Sequence, residues 1–521
     1  MTEKKIQVRV YRYNPQTDAE PTYHTYKVPY TPGMTGLDAL LHIQDNLDGT
    51  LAFRWSCRQA SCGSCAVLVN GTPKLLCRTN IPEDSEELTI TPLLHYPVIK
   101  DLVVDLSRGM KKMQKIRPYI IRSEKIKRPE IITKEEIAHL KELRQCIECW
   151  ACISACPTVS EAYYEYSGPL IMRQLARLEF DKRDIEDRIA MAFADGVYDC
   201  TACGACKAVC PYDIDIPRKA IEKLRAGIVK RDLGPLEGQQ VFIDFIKETG
   251  RAVVKLDDNP PFLDGLPDVV GPNTPVDEVI FFTGCLMDYR LQQTAESVVK
   301  ILTELGVRVY LPKKQECCAS PALRSGDVET AKRQVLTNIK VLEAFESKKV
   351  ITACAGCGVT LKLDYPELAT LLGIDPPLFK TYDFVEYLLE EFGLAKLKDK
   401  MVNSVNKKIT YHYPCHLNRG QGISEEPVDL LKILPGVEYV ELNEADRCCG
   451  AGGGLRAGKR DLSMLIARRK GENVIKSGAD AVCASDCPFC TIQLKDILNQ
   501  LGSKIQTYFL PNLMAEVFPA K

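Results

Sequence analysis

Two runs of cysteine near the middle of the chain have the spacing that binds iron and sulfide. Both follow the pattern C-x2-C-x2-C-x3-C-P, once at 146–157 and again at 200–211. A cubane [4Fe–4S] cluster needs four converging thiolates, and this spacing supplies three of them at little cost in loop-closure entropy. Structural zinc is the alternative, although zinc sites use paired C-x2-C motifs rather than this longer run. The two runs therefore predict two cubane clusters.

The fourth cysteine of each run is expected to cross over to the other cluster, as it does in two-cluster ferredoxins. One predicted cluster is then bound by Cys146, Cys149, Cys152 and Cys210. The other is bound by Cys156, Cys200, Cys203 and Cys206.

A third cysteine set lies upstream, in the sequence RWSCRQASCGSCAVLVNG at 54–71. The spacing C-x4-C-x2-C, with a fourth cysteine further on, is typical of a plant-type [2Fe–2S] cluster. Asn70-Gly71 predicts a hairpin turn that returns the chain to the loop, and Gly63 would let the backbone approach the cluster closely. Structural zinc is again the alternative. The predicted ligands are Cys57, Cys62, Cys65 and Cys77.

The C-terminal half repeats one five-cysteine pattern at similar intervals, which indicates a duplicated domain. The first copy contains Cys285, Cys317, Cys318, Cys354 and Cys357. The second copy contains Cys415, Cys448, Cys449, Cys487 and Cys490. In each copy these cysteines follow predicted strands, where α/β folds build their sites. Four of the five thiolates would suffice for zinc, so a zinc site stays an alternative for one copy.

Three further features of this half are ambiguous. Cys483 is the one cysteine outside these sets, and Ile351 at the matching position favours a small buried hydrophobe. His416 could supply a proton or a hydrogen bond near a cluster, or it could simply pack. The run Gly450–Gly454 lacks the frame of a phosphate loop, which favours close packing of backbone against a cluster.

The composition bounds the class of protein. The chain has 521 residues, which is too long for a single hydrophobic core, so several domains are expected. The net charge of −1 implies no basic face of the nucleic-acid-binding type. No apolar run approaches the ~18 residues of a transmembrane segment. The opening sequence MTEKKIQVRV favours a strand over a signal peptide, so the 23 cysteines are expected to be reduced in the cytoplasm.

Local patterns predict the elements that position the cysteines. Apolar residues alternate along 6–11, which predicts a strand. Thr35-x-x-Asp38 and Thr133-x-x-Glu136 are capping boxes that begin helices. The second helix leads to the first cubane motif and is predicted to bury Ile137, Leu140 and Leu143.

These patterns predict five consecutive segments. They are a [2Fe–2S] domain at 1–115, a helical two-cluster domain at 116–240, a linker at 241–277, and the two repeated domains at 278–404 and 405–521. The connector at 101–132 and the Pro-rich stretch at 257–277 mark the transitions.

Residues 1–235 resemble the iron–sulfur subunit of succinate dehydrogenase and fumarate reductase, through the loop Arg54–Cys65 and the order of three clusters. The resemblance implies a β-grasp [2Fe–2S] ferredoxin domain, an α-helical ferredoxin domain, and FAD on a flavoprotein partner. This chain has no flavin-binding G-x-G-x-x-G of its own. Cys203 occupies the position that is missing in relatives with a [3Fe–4S] cluster, so [4Fe–4S] is expected. Thr201 replaces the His of quinone-reducing members, so their quinone site is not expected.

Residues 278–521 resemble the CCG domain pair of the heterodisulfide reductase catalytic subunit. The resemblance includes G-C at 284–285, P-C-H at 414–416 and C-C-G-A-G-G-G at 448–454. It implies duplicated α/β domains, a non-cubane [4Fe–4S] cluster on each five-cysteine set, and a small thiol or disulfide substrate held between the clusters. It implies no catalytic residue beyond these ligands.

The whole chain resembles the B-subunit family of thiol-driven fumarate reductases, multidomain α+β and α/β proteins that fuse these two parts. The implied activity is oxidation of two thiols, coenzyme M and coenzyme B, to a heterodisulfide, with electrons relayed to a flavoprotein that reduces fumarate to succinate. One alternative is an atypical succinate dehydrogenase or fumarate reductase whose CCG module docks to a membrane and exchanges electrons with quinone. Another is a non-catalytic adaptor with zinc in one copy.

Overall fold

The computed structural model describes residues 4–123, 129–256 and 260–519, and the side chain of His139 is left aside. Parts of the predicted N-terminal strand, of the connector and of the linker, at 1–3, 124–128 and 257–259, lie outside the described residues. The chain forms two compact units, one of residues 1–200 with 204–224 and one of residues 201–203 with 225–521. Among the described residues, no helix combines the length and apolarity needed to cross a membrane.

The first unit begins with a mixed five-stranded sheet that packs against one helix. Its strands and helix are β1 (Lys5–Arg12), β2 (Thr22–Pro29), α1 (Gly36–Asn46), β3 (Ala66–Val69), β4 (Thr72–Leu75) and β5 (Glu87–Thr91). The strand order is β2-β1-β5-β3-β4, with β1 and β5 parallel. Ile6, Val8 and Val10 are buried, as their alternation predicts. A small hairpin of β6 (Val98–Lys100) and β7 (Val103–Val104) follows.

The rest of the first unit is helical, and its short helices carry the cubane motifs. The helices are α2 (Ser107–Lys115), α3 (Lys134–Arg144), α4 (Ala151–Ser154), α5 (Pro157–Glu161), α6 (Pro169–Glu179), α7 (Arg188–Ala194) and α8 (Ala205–Ala208). A π-helical turn at Pro217–Ile221 leads into α9 (Glu222–Lys230), within which this unit ends.

Both capping boxes form, and one part of the predicted buried stripe is wrong. Thr133 accepts a hydrogen bond from the Glu136 N–H, and Glu136 accepts one from the Thr133 N–H. Leu140 and Leu143 are buried, whereas Ile137 is 42% exposed. The reason is that α3 is buried only toward its C-terminal end, while its first turn lies at the surface.

The second unit contains two copies of a parallel sheet flanked by helices. Before the first copy come α10 (Glu237–Thr249) and β8 (Val269–Val270). The first copy comprises β9 (Asp277–Phe281), α11 (Gly284–Tyr289), α12 (Gln292–Glu304), β10 (Val307–Tyr310), α13 (Ser320–Ser325), α14 (Val328–Glu343), β11 (Lys349–Thr352), α15 (Ala355–Val359), α16 (Tyr365–Leu372), β12 (Lys380–Asp383), α17 (Phe384–Glu391) and α18 (Gly393–Asp399). Its strand order is β12-β11-β9-β10, with β8 added antiparallel at the edge.

The second copy repeats this topology. It comprises β13 (Lys407–Tyr411), α19 (Cys415–Gln421), α20 (Glu426–Ile433), β14 (Val437–Val440), α21 (Leu455–Gly458), α22 (Arg460–Lys476), β15 (Ala481–Cys483), α23 (Pro488–Gln500), β16 (Gln506–Tyr508) and α24 (Leu510–Val517). The strand order β14-β13-β15-β16 matches β10-β9-β11-β12 of the first copy. Equivalent strand ends therefore carry equivalent cysteines, and the predicted duplication is visible in the fold.

The segment predicted as a linker is more ordered than its composition suggests. The helix α10 extends into it and buries Ile243 and Ile246 in the second unit. Phe262 and Leu263 are buried as well. The N–H of Ala252 also donates to Cys285 Sγ at 3.4 Å. Apolar residues spaced three apart thus fold this segment against the first copy despite the Pro and Asp content that follows.

Candidate metal centres and active-site cavity

The loop predicted to bind the [2Fe–2S] cluster brings its four thiols together in two pairs. Cys57 is hydrogen-bonded to Cys62, and Cys65 to Cys77. Backbone N–H groups also point at these sulfurs, since Ser61 N donates to Cys57 at 3.2 Å and Ala60 N to Cys77 at 3.3 Å. Such donors stabilise thiolate sulfur. The four free thiols and the inward N–H groups fit a small anionic cluster.

Ionisation differs between the two pairs. The hydrogen bond from Ser64 lowers the pKa of Cys62 to about 6, whereas burial raises the pKa of Cys65 to about 12. The buried thiol is therefore the one that most needs a metal to remain deprotonated.

Gly63 joins this loop to the first cubane motif by a close backbone approach. Its φ of +71° lies in the left-handed region, and a Cβ there would fall 2.8 Å from Cβ of Cys149. Only glycine satisfies both constraints. Gly63 therefore allows a close approach to the backbone of the next cysteine motif, and its predicted approach to a cluster stays a prediction.

The four cysteines assigned to the first cubane cluster also lie together. The thiols of Cys146, Cys149 and Cys152 each interact electrostatically with Cys210, the predicted crossover ligand. Burial raises the pKa of all three. The buried Arg173 opposes this for Cys146, and its Nε and Nη2 have no hydrogen-bond partner among the described residues. A cation next to buried thiols is suited to an anionic cluster.

The second cubane set is divided between the two compact units. Cys156, Cys200 and Cys206 belong to the first unit, whereas Cys203 belongs to the second. Cys203 is buried there and hydrogen-bonded to Cys448 of the second repeated domain, which raises its pKa. The assignment of these four cysteines to one cluster stays a prediction.

The first five-cysteine set forms one continuous chain of buried thiols. Cys285 is hydrogen-bonded to Cys317. Cys318, the residue after Cys317, is hydrogen-bonded to Cys357, which is in turn hydrogen-bonded to Cys354. The hydrogen bonds to Cys317 and Cys357 lower the pKa of Cys318 to about 6.

The second set repeats this arrangement. Cys415 is hydrogen-bonded to Cys448, Cys490 is hydrogen-bonded to Cys487, and the sulfurs of Cys449 and Cys490 lie 3.4 Å apart. Hydrogen bonds with Cys448 and Cys490 lower the pKa of Cys449 well below its usual value. All 23 cysteines lie among the described residues and are free thiols, so these sets fit soft metal ions.

A cation lies next to the second set. Arg419 donates to the Asp446 carboxylate at 2.7 Å, and its charge faces Cys203, Cys415 and Cys448. Its Nη1 has no hydrogen-bond partner among the described residues. The guanidinium is therefore available to stabilise negative charge on these sulfurs.

One cavity of about 390 Å³ connects the two sets. Cysteines of both copies line it, namely Cys285, Cys317, Cys318, Cys354, Cys357, Cys415, Cys449, Cys487 and Cys490. The cavity walls also contain Phe489 and the cations Arg456 and Arg460. This volume suits a small molecule. The reactive end of such a molecule would contact cysteines of both copies.

Two buried carboxyl groups near this cavity were not predicted from the sequence. Asp383 ends β12 and Asp486 follows β15, and the two fully buried side chains interact electrostatically. Burial raises both pKa values, that of Asp486 to about 7. The pair therefore holds a proton near neutral pH. Each lies at or just after the carboxyl end of a parallel strand, where α/β folds build their sites, and this is the sequence signal that could have found them.

The remaining cysteine and two histidines of the second copy occupy different surroundings. Cys483 is fully buried in the hydrophobic core, in keeping with the predicted packing role. His416 lines the cavity, and burial lowers its pKa to about 4, so its imidazole is neutral. His412, which the sequence did not single out, lies with Cys449 and Cys490 in a group whose ligand atoms are within 4.8 Å of one another.

Three parts of the chain match known domain families. Residues 7–111 match the 2Fe-2S iron-sulfur cluster binding domain, and residues 142–214 match the 4Fe-4S dicluster domain. Residues 279–362 and 409–495 match the cysteine-rich CCG domain. These matches and the observed sheets confirm the predicted fold class.

Three relatives cover different parts of the chain. The B subunit of fumarate reductase (CoM/CoB) from Methanothermobacter marburgensis is 38% identical over 95% of this chain and 96% of its own length. The D subunit of dihydromethanophenazine:CoB–CoM heterodisulfide reductase from Methanosarcina barkeri is 31% identical over 74% of this chain and 97% of its own length. The fumarate reductase iron-sulfur subunit of Haemophilus influenzae is 39% identical over 42% of this chain and 91% of its own length.

These matches agree with the arrangement of the cysteines. The third relative covers under half of this chain, whereas the first spans almost all of it. All three relatives are subunits of oxidoreductases. The chain is therefore an iron–sulfur oxidoreductase subunit that belongs to the family of fumarate reductase (CoM/CoB) B subunits.

Proposed function

We propose that this chain oxidises two small thiols to a mixed disulfide and delivers the electrons to a flavoprotein that reduces fumarate. Coenzyme M and coenzyme B are the proposed thiols, because the M. marburgensis relative is named for them. The two thiols lose two protons and two electrons as the S–S bond forms. Fumarate takes up two protons and two electrons to become succinate.

The observation that carries this proposal is the cavity between the two five-cysteine sets. A purely structural pair of metal sites would need no shared space, whereas this cavity is lined by cysteines of both copies. When bound, a non-cubane [4Fe–4S] cluster on each set would exchange one electron at a time, which divides a two-electron thiol couple between two sites. The chain's own residues hold the two thiols side by side, where proximity favours formation of the S–S bond.

Charge on the cavity walls favours an anionic thiol. Arg456 contacts Asp496 and donates to Gln493, and Arg460 lies 3.3 Å from the same carboxylate. One carboxylate facing two guanidinium groups leaves net positive charge on the wall. This charge would draw in an anionic substrate and orient its thiol toward the cysteines.

The electron route proposed for the first unit runs toward a partner. The contact of Gly63 with Cys149 supports transfer between the first cubane cluster and the [2Fe–2S] cluster. The likeness to the H. influenzae iron-sulfur subunit supports a flavoprotein partner bound near the [2Fe–2S] loop, where Cys62 is exposed. Cluster numbers, ligand sets and the partner are parts of this proposal.

Metal analysis of the full chain, purified without oxygen, tests the donor sets. We expect iron and acid-labile sulfide sufficient for one [2Fe–2S], two cubane and two non-cubane [4Fe–4S] clusters. Zinc in stoichiometric amount would contradict the proposal for the copy that holds it and would favour the adaptor function.

Arg460→Ala is expected to raise KM for the thiols about three- to fivefold, because a partly exposed charge contact contributes up to ~1 kcal/mol. The value of kcat should change little, since this charge is proposed to act on binding of the anionic substrate and not on the sulfurs. Arg468→Ala on the same helix, where Arg468 pairs with Glu472, is the matched control. An unchanged KM in the Arg460 variant at low salt would argue against an anionic thiol in this cavity.

Cys203→Ala is expected to convert the second cubane site to a [3Fe–4S] cluster, because three thiolates remain in the predicted set. EPR of the oxidised variant should show the three-iron signal, which the parent protein should lack. A stoichiometric three-iron signal in the parent protein would show that Cys203 is not a ligand of this cluster.

A further inference from the structure

His412 lies at the end of the first strand of the second copy, with its ring facing the five-cysteine set. The residue is fully buried, and its backbone N–H donates to the Cys483 carbonyl at 2.9 Å. Its Nδ1 lies 3.2 Å from the carbonyl oxygen of Ala445. These two contacts fix both the backbone and the ring.

The contact with Ala445 determines which ring nitrogen carries the proton. A carbonyl oxygen can only accept, so the hydrogen is on Nδ1 and Nε2 has a free lone pair. Nε2 has no hydrogen-bond partner among the described residues. A fully buried acceptor in this state is costly unless something binds it.

The His412 ring belongs to a group of side chains that can bind metal. The ligand atoms of His412, Cys449 and Cys490 all lie within 4.8 Å of one another. Histidine ligands of metals typically donate their other ring N–H to a backbone carbonyl, and His412 makes that bond. Both neighbouring cysteines are thiolate ligands in the proposed non-cubane set.

We propose that His412 Nε2 is an additional iron ligand of the cluster bound by the second copy, next to Cys449 and Cys490. In the tautomer that the Ala445 contact favours, the Nε2 lone pair would bind iron without loss of a proton. This inference rests on the cluster proposed for that copy, but not on the identity of the thiol.

The first copy has an apolar ring in place of this imidazole. Phe282 occupies the equivalent place after β9, and its N–H donates to the Ile351 carbonyl at 2.8 Å, just as His412 bonds to Cys483. Phe282 is fully buried as well. The two sites that line one cavity are therefore chemically different, one with thiolates alone and one with thiolates and an imidazole. The electrons of the thiol couple would then enter two unequal sites, and the second copy is the one whose Cys448 contacts Cys203.

Pulsed EPR of the full chain tests this ligand without relying on activity. The chain is produced with 15N-labelled histidine and examined in each oxidation state that makes the second-copy cluster paramagnetic. We expect the hyperfine coupling of a directly bound nitrogen, which changes from the 14N to the 15N pattern on labelling. The coupling should be lost in His412→Phe, which installs the first-copy residue, and kept in His416→Phe.

Each outcome distinguishes this inference from the proposed function. A cluster in the second copy without labelled-histidine coupling overturns the ligand and leaves thiol oxidation intact. Coupling that persists in His412→Phe also overturns it. If that variant does not fold, the labelled parent protein decides alone. An absence of iron in the second copy would overturn both proposals.

Discussion

Replacement of Cys449 by alanine is expected to abolish thiol oxidation while fumarate reduction driven by an artificial dye continues. Cys449 is buried, lies 3.4 Å from Cys490 and faces the cavity, so its loss removes a soft ligand from the second copy. Loss of residues that only support a metal ligand already costs ~10–100-fold, so loss of a ligand should cost about 100-fold or more. Thiol oxidation is measured as formation of the mixed disulfide, and the dye assay reports the first three clusters.

Cys483→Ala is the matched control, because Cys483 is equally buried in the same copy but lies in the hydrophobic core. It should retain thiol oxidation at close to the parent rate. Cys318→Ala, at the matching position of the first copy, should behave like the Cys449 variant. A Cys449 variant that still couples thiols to fumarate at the normal rate would contradict the paired site and favour the membrane-docking alternative.

Cys65→Ala is expected to abolish fumarate reduction by thiols while leaving dye reduction by thiols. Cys65 is buried and contacts Cys77, so its loss removes a ligand from the predicted [2Fe–2S] set at the proposed exit to the flavoprotein. We expect a loss of about 100-fold or more in the coupled reaction, on the same reasoning as for Cys449.

The Cys65 variant is best assayed as the purified complex with its flavoprotein, so that loss of the partner is not mistaken for loss of electron transfer. Copurification of the two chains should persist, because the remaining sheet and helix α1 are unchanged. Normal thiol–fumarate activity in this variant would refute the proposed route through the [2Fe–2S] cluster.

Spacing allowed the cysteines to be grouped into sets from the sequence. The contacts of Cys285 with Cys317 and of Cys415 with Cys448 join residues more than 30 positions apart, and the repeat alone had placed each pair in one set. Local chemistry likewise predicted the capped helix at Thr133 and the hairpin at Asn70-Gly71, because each depends on residues adjacent in the chain.

Features that depend on tertiary packing were not predictable in this way. The exposure of Ile137 depends on which end of α3 is buried, and the contact of Cys203 with Cys448 joins distant segments. His416 was considered because it adjoins a cysteine, whereas His412, a few residues earlier, faces the sulfurs. A comparison of the two copies would have revealed His412 as the polar counterpart of buried Phe282.

The proposed mechanism joins two thiols in the cavity shared by both copies and passes their electrons to fumarate. The most direct measurement supplies the purified complex, without oxygen, with coenzyme M, coenzyme B and fumarate, and quantifies the products by mass spectrometry. We expect one mixed disulfide per succinate, and neither product when one thiol is omitted. Succinate formed without the mixed disulfide, or formed only with a quinol as donor, would contradict this mechanism.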